Sequence, residues 1–285
     1  MKPPNEQALK DHLRNLAKEE GKTSNEIWKR LLLERFLARL SHSDFKEKLI
    51  FKGGVLLSHY LEIGRETIDL DFVARQIERQ RETFDQVFQA IAKTEIEDGF
   101  QFSHVETKTL TQPHMNYPGY RVILKCGFEG MRDSISVDVG IGDVVEPTDK
   151  KIPLLKVRGR PLFEGEISLK VYPLEAIFAE KLETLIARGG TNSRMKDFHD
   201  LLLMVREPGL LEPESLGEVI TCTFENRQTK LVLPIHLKDD EIKQFQKLWN
   251  AHCRRLGEDG DDLGLPKDFS IIIDELNSWL AQNLP

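Results

Sequence analysis

Two aspartates, Asp69 and Asp71, stand two residues apart in the run I-D-L-D-F-V. Alternate side chains of a strand share a face, so both carboxylates point one way while Ile68, Leu70 and Phe72 point the other. Like charges held side by side repel unless a cation lies between them. Mg²⁺ or Mn²⁺ is the cation that such oxygen ligands suit. Upstream stands Lys52-Gly53-Gly54. Glycines let a backbone approach a ligand closely, and N–H groups that open a helix face an anion. A phosphate cradle followed by a carboxylate pair suggests a metal-bound nucleotide. The plainer account makes D-x-D two solvated carboxylates and G-G a turn, and only the combination argues against it.

Further along, Ser134-Ile135-Ser136-Val137-Asp138-Val139-Gly140 sets Ile135, Val137 and Val139 on one face and Asp138 on the other. Asp138 reads equally as a third metal-binding acid or as a strand-end group bound to a nearby turn. Lys181 and Arg188 lie two turns apart on one helical face, and Asp197 and Asp200, three apart, share another. Alone, these are exposed faces with salt bridges worth under about 1 kcal/mol each. Beside a phosphate and metal constellation they supply cations for phosphate charge and a base for a hydroxyl. Two other motifs fail. Gly21-Lys22-Thr23 would end a Walker A loop, but Leu16 stands where its first glycine belongs. Gly140-Ile141-Gly142 lacks the third glycine of a dinucleotide fingerprint, having Val145 there.

Several elements must position these groups. Helices are expected over 5–19 and 24–41, the second opened by a capping box in which Thr23 caps and Glu26 reaches back. A strand at 49–52, a short helix at 55–61 and the aspartate strand at 68–74 come next. A helix over 77–96 follows, with Phe84, Val87, Phe88 and Ile91 on one side. Strands at 100–110, 120–128 and 135–145 are parted by turns such as Gln112-Pro113 and Glu129-Gly130. From Pro173 the texture becomes helical, with Gly189-Gly190 stopping the first helix and others near 194–205, 213–226, 238–256 and 268–283. The expected class is α+β, a mixed sheet with flanking helices and a mostly helical C-terminal domain. The division expected is 1–172, with a helical lead-in over 1–47, and 173–285.

The chain has 285 residues, 40% hydrophobic and 31% charged, which describes a folded globular protein and not a disordered one. Its apolar runs are too short for a bilayer, and residues 1–20 lack a signal-peptide core. Cys126, Cys222 and Cys253 are odd in number and widely spaced, which fits reduced thiols in the cytoplasm and not a zinc or disulfide frame. A net charge of −7 disfavours a general nucleic-acid coat. Lys150, Lys151, Lys156, Arg158, Arg160 and Lys170 nevertheless form a local basic stretch, read either as a contact for RNA phosphates or as a solvated hairpin.

Taken in order, the Lys52-Gly53-Gly54 block, R-x-T-x-D-L-D-F from Arg65, E-K-L-x-x-x-x-x-R from Glu180 and K-D-x-x-D-L from Lys196 resemble the AbiEii/AbiGii family of nucleotidyltransferase toxins. That family includes the MenT toxins and belongs to the DNA polymerase β-like superfamily. The resemblance implies a nucleotidyltransferase-type sheet and a cytoplasmic toxin that transfers NMP from an NTP substrate. A tRNA 3′ end is the leading acceptor, other RNA the next, and a cognate antitoxin the protein partner. It further implies Gly53 and Gly54 at the triphosphate, Thr67 where a serine is usual, and Lys52 and Arg65 beside the nucleotide. Asp69, Asp71 and Asp138 would hold Mg²⁺ or Mn²⁺, Lys181 and Arg188 would meet the phosphates, and Asp200 would close the D-x-x-D block. His199 departs from the aromatic common before that last acid. Rival readings keep the site but nucleotidylate a protein or small molecule, or bind nucleotide without catalysis. A glycosidase fits poorly, because neighbouring acids on one strand do not straddle a sugar.

Overall fold

A computed structural model describes residues 3–110, 119–142 and 145–284. Gln112 and Pro113, read as a turn, lie outside them, as do positions 143 and 144. The chain divides into two compact units, one of Met1–His59 with Glu66–Tyr172 and one of Tyr60–Arg65 with Pro173–Pro285.

In the first unit α1 (Glu6–Glu19) buries Leu9, Leu13, Leu16 and Ala17, a stripe at helical spacing. The expected capping box opens α2 (Ser24–Ser41): Glu26 N donates to Thr23 Oγ1 at 3.2 Å, and Thr23 N donates to Glu26 Oε2 at 2.7 Å. This helix is buried nearly all round, so its inward arginines need partners. Arg39 forks Asp98 at 2.8 Å through both nitrogens. Arg35 donates to Glu164 at 2.6 Å.

The strands β1 (Leu49–Lys52), β2 (Asp69–Ala74), β3 (Phe100–Leu110), β4 (Gly119–Phe128), β5 (Met131–Ile141), β6 (Thr148–Pro153) and β9 (Glu166–Val171) make one sheet in the order β3-β4-β5-β2-β1-β9-β6. The pairs β2/β5 and β1/β9 are parallel and the remainder antiparallel, giving the mixed sheet that the sequence predicts. The short strands β7 (Lys156–Val157) and β8 (Arg160–Pro161) form a separate hairpin. One sheet face is apolar, with Leu70, Phe72, Ile135, Val137 and Val139 buried. The other carries the aspartates.

Several boundaries differ from expectation. Helix α3 (Gly53–Leu57) begins at the glycines themselves and ends before residue 61. Helix α4 (Arg81–Ala92) is shorter than 77–96, since its buried stripe of Phe84, Val87, Phe88 and Ile91 spans only about two turns. Ile68 is not part of β2 and is 49% exposed, so only Leu70 and Phe72 of the expected apolar face reach the core.

The second unit is helical: α5 (Leu174–Arg188), α6 (Met195–Arg206), α7 (Pro213–Asn226), α8 (Asp239–Leu256), α9 (Glu258–Asp262) and α10 (Phe269–Asn283). Phe198, Phe245 and Phe269 form its aromatic centre, with ring centroids 5.0 to 5.7 Å apart. Residues 60–65, expected with the sheet domain, pack here instead. Leu61 and Ile63 are buried, and Gly64, at φ +53°, lies so close to Leu263 that a Cβ would come within 2.5 Å of its Cδ1. Among the described residues no helix is long and apolar enough to cross a membrane.

Candidate active site

On the polar face of the sheet, register brings distant residues into one row. Lys52 stands opposite Asp71, Asp71 opposite Asp138, Asp138 opposite Arg121 and Arg121 opposite Lys108. Directly opposed residues project to the same side, so three acids share this face: Asp69, Asp71 and Asp138. Asp69 lies opposite Ser136, two residues back along the same strand pair. Lys52 extends its ammonium to 4.9 Å from the centre of the Tyr172 ring. Thr67 lies just ahead of β2 and is half-buried.

Gly53 belongs to this row in an unexpected way. At φ +82° it adopts a conformation that side chains disfavour, and a Cβ there would come within 2.1 Å of Asp71 Oδ2 and 2.7 Å of its Cβ. Its lack of a side chain therefore makes room for the acid. That requirement is separate from the phosphate cradle expected of Gly53 and Gly54.

Asp138 is engaged. Arg121 Nε donates to Asp138 Oδ1 and Nη2 to Oδ2, both at 2.7 Å. The hydrogen bonds it donates to Asp138 push the pKa of the guanidinium further up, and the charges of Asp138, Asp69 and Asp71 act in the same direction. Arg121 therefore lies in the field of all three acids. The sequence reading did not single out Arg121. Its signal was the two-residue turn Glu129-Gly130, since counting back from Phe128↔Met131 pairs Arg121 with Asp138.

Asp69 and Asp71 fit a small divalent ion, which takes one or two carboxylates and fills its remaining positions with water and substrate oxygens. Among the described residues no group of three or more His, Cys, Asp or Glu side chains is arranged to hold a metal. The structure pairs Asp138, expected as a third metal ligand, with Arg121.

A second cluster lies within the helical unit. Lys181 on α5 donates to Asp200 Oδ2 at 2.6 Å and to Asp197 Oδ1 at 3.2 Å, both on α6. Arg65 forks Asp200 through Nε at 3.0 Å and Nη2 at 2.7 Å, while Arg194 Nε donates to Asp197 at 2.6 Å. Both aspartates are fully buried, so the exposed faces with weak salt bridges, weighed as the plainer account, are not what forms. Burial alone would raise the Asp200 pKa; Lys181 and Arg65 outweigh it and hold the carboxyl well below the ordinary range. Burial likewise opposes the charge on Lys181, and Asp200 and Asp197 overcome it, raising its pKa. Asp200, expected among the catalytic groups, thus has both oxygens engaged by cations. Arg188, in the last turn of α5, is half-buried and is not among the groups joined here.

His199, the departure from the usual aromatic, is core. Its Nδ1 lies 2.8 Å from His252 Nε2, and it meets Trp249 edge-on. Burial pushes both imidazoles down to about 4.

The family model described as "Nucleotidyl transferase AbiEii toxin, Type IV TA system" matches residues 35–275. Among solved structures, JHP933 from Helicobacter pylori is 12% identical, covering 91% of this chain and 95% of its own, with a TM-score of 0.49. An antigenic nucleotidyltransferase-like protein from Paracoccidioides brasiliensis is 14% identical, covering 70% of this chain and 88% of its own, with a TM-score of 0.37. No curated protein matches the chain by sequence.

Proposed function

Because the chain belongs to the AbiEii family of nucleotidyltransferase toxins, we propose that it moves a nucleoside monophosphate from an NTP to an acceptor hydroxyl, most simply a tRNA 3′ end, under control of a cognate antitoxin. The observation that carries this reading is the pair Asp69 and Asp71 on one face of β2, beside Asp138, within the matched span. In the transfer, the hydroxyl oxygen forms a bond to the α-phosphorus, the bond from that phosphorus to the bridging oxygen breaks, and pyrophosphate leaves. A divalent ion on Asp69 and Asp71 would stabilise the charge on the attacking and leaving oxygens.

The chain's own groups bind and orient. Lys52, Gly53, Gly54 and Thr67 are assigned to the triphosphate. The same assignment to Lys181, Arg65 and Arg188 rests on the order of the motifs along the chain. Asp138, the acid across from Asp71 with both oxygens likewise held by Arg121, is assigned to orienting the hydroxyl, whose proton passes to water. Asp200 is given a positioning role, since both its oxygens already hold Lys181 and Arg65.

The test is incubation of the protein with total RNA, Mg²⁺ and each of the four α-phosphate-labelled NTPs. Label is expected in RNA with at least one nucleotide, and Asp69→Asn is expected to abolish it. Full labelling by that variant rules the mechanism out, and label confined to protein or small molecules redirects the acceptor.

A further inference from the structure

We propose that in the nucleotide-free protein Arg121 withholds Asp138 from metal binding, leaving Asp69 and Asp71 as a two-carboxylate site for one divalent ion. This rests on the transfer reading above and narrows it.

The first support is the fork. Both oxygens of Asp138 accept from Arg121 at 2.7 Å, so an ion chelated between them must displace two charge-assisted hydrogen bonds together. The second is the origin of that fork. Arg121 and Asp138 are directly opposed in the β4/β5 hairpin, whose register runs unbroken from Phe128↔Met131 to Tyr120↔Val139. Their meeting follows from strand pairing and needs no side-chain search. A third is electrostatic. Three carboxylates on one sheet face repel one another, and a fixed guanidinium relieves that repulsion without a metal. Its partial exposure, 40% for Arg121 against 25% for Asp138, leaves it on the accessible side of the pair. Arg121 is thus a positioning residue that sets how many acids the metal sees.

The test is Mn²⁺ titration of the full chain, with free ion followed by its paramagnetic resonance signal. Wild type is expected to bind one ion, and D69N to bind it at least about tenfold more weakly, as for loss of a group that shapes a metal site. The deciding variant is R121Q/D138N, which removes the pair without changing net charge. It should retain the wild-type affinity. R121Q alone releases Asp138 to the site and should bind about tenfold more tightly. Loss in R121Q/D138N as large as in D69N overturns the inference, and so does an R121Q variant no tighter than wild type. Wild type that binds Mn²⁺ as expected yet labels no acceptor overturns the transfer reading alone.

Discussion

A glycine that follows β1 and a carboxylate on the neighbouring strand β2, Gly53 and Asp71, decide the polar face of the sheet at the scale of single residues. Gly53→Ala would put a methyl group where the Asp71 carboxyl lies and force a side chain into φ +82°. The expected cost is about 1–3 kcal/mol in urea unfolding, with labelling of acceptor abolished. A Gly53→Ala variant as stable and active as wild type would show that Asp71 moves aside freely.

His199 gives a second expectation at this scale. Its pKa is depressed from about 6.5 unfolded to about 4 folded, chiefly by burial. Between those values the unfolded chain binds a proton that the folded chain refuses. Stability is therefore full above about 6.5 and falls as the pH drops through that window, by up to about 1 kcal/mol per pH unit from this ring. Urea midpoints at pH 7 and pH 5 test it, and a midpoint indifferent to pH sinks it.

Among residues, the acids were legible because alternation along a strand needs only local sequence. Arg121 was not, because its partner is set by hairpin register. The burial of Asp197 and Asp200 was also hidden, since an i, i+3 pair of aspartates looks the same on a wet helix.

Elements were legible where a cap marks the start, as in α2, whose capping box appears as read. They were misjudged in extent where the short helix was set at 55–61, since Gly53 and Gly54 themselves open α3, which ends at Leu57. The basic stretch over 150–170 separates by element. Lys151 pairs with Glu166 at 2.5 Å and Lys170 with Asp149 at 2.8 Å across β6 and β9. Lys156, Arg158 and Arg160 lie exposed on the β7/β8 hairpin, whose turn runs through Arg158 at φ +50° and Gly159 at φ +75°. Anchoring comes from Glu34 on α2, which accepts from Leu155 N at 2.9 Å, and from Glu164 on Arg35. If the chain handles RNA through this segment, R158E/R160E should weaken binding and flatten its dependence on salt. The logarithmic slope should fall by about 0.7 to 0.9 for each RNA phosphate that the variant no longer neutralises. Equal weakening by K151E/K170E would assign the contact to β6 and β9 instead.

At the scale of the molecule, the composition indicated a folded globular chain, and the texture turned helical from Pro173. What it could not reveal is the detour of residues 60–65. Nothing in L-E-I-G-R announces that the chain leaves the first unit after His59 and returns to it at Glu66, just ahead of Asp69. The packing of Gly64 on Leu263 and the fork of Arg65 on Asp200 depend on partners far along the chain, which local pattern does not carry. That threading has a mechanical outcome. A protease that nicks the backbone between Tyr172 and Pro173 should yield two pieces that still migrate as one on a native gel, because the N-terminal piece carries a short plug seated in the other. Only denaturant should part them, and pieces that drift apart in plain buffer would show the plug to be loosely held.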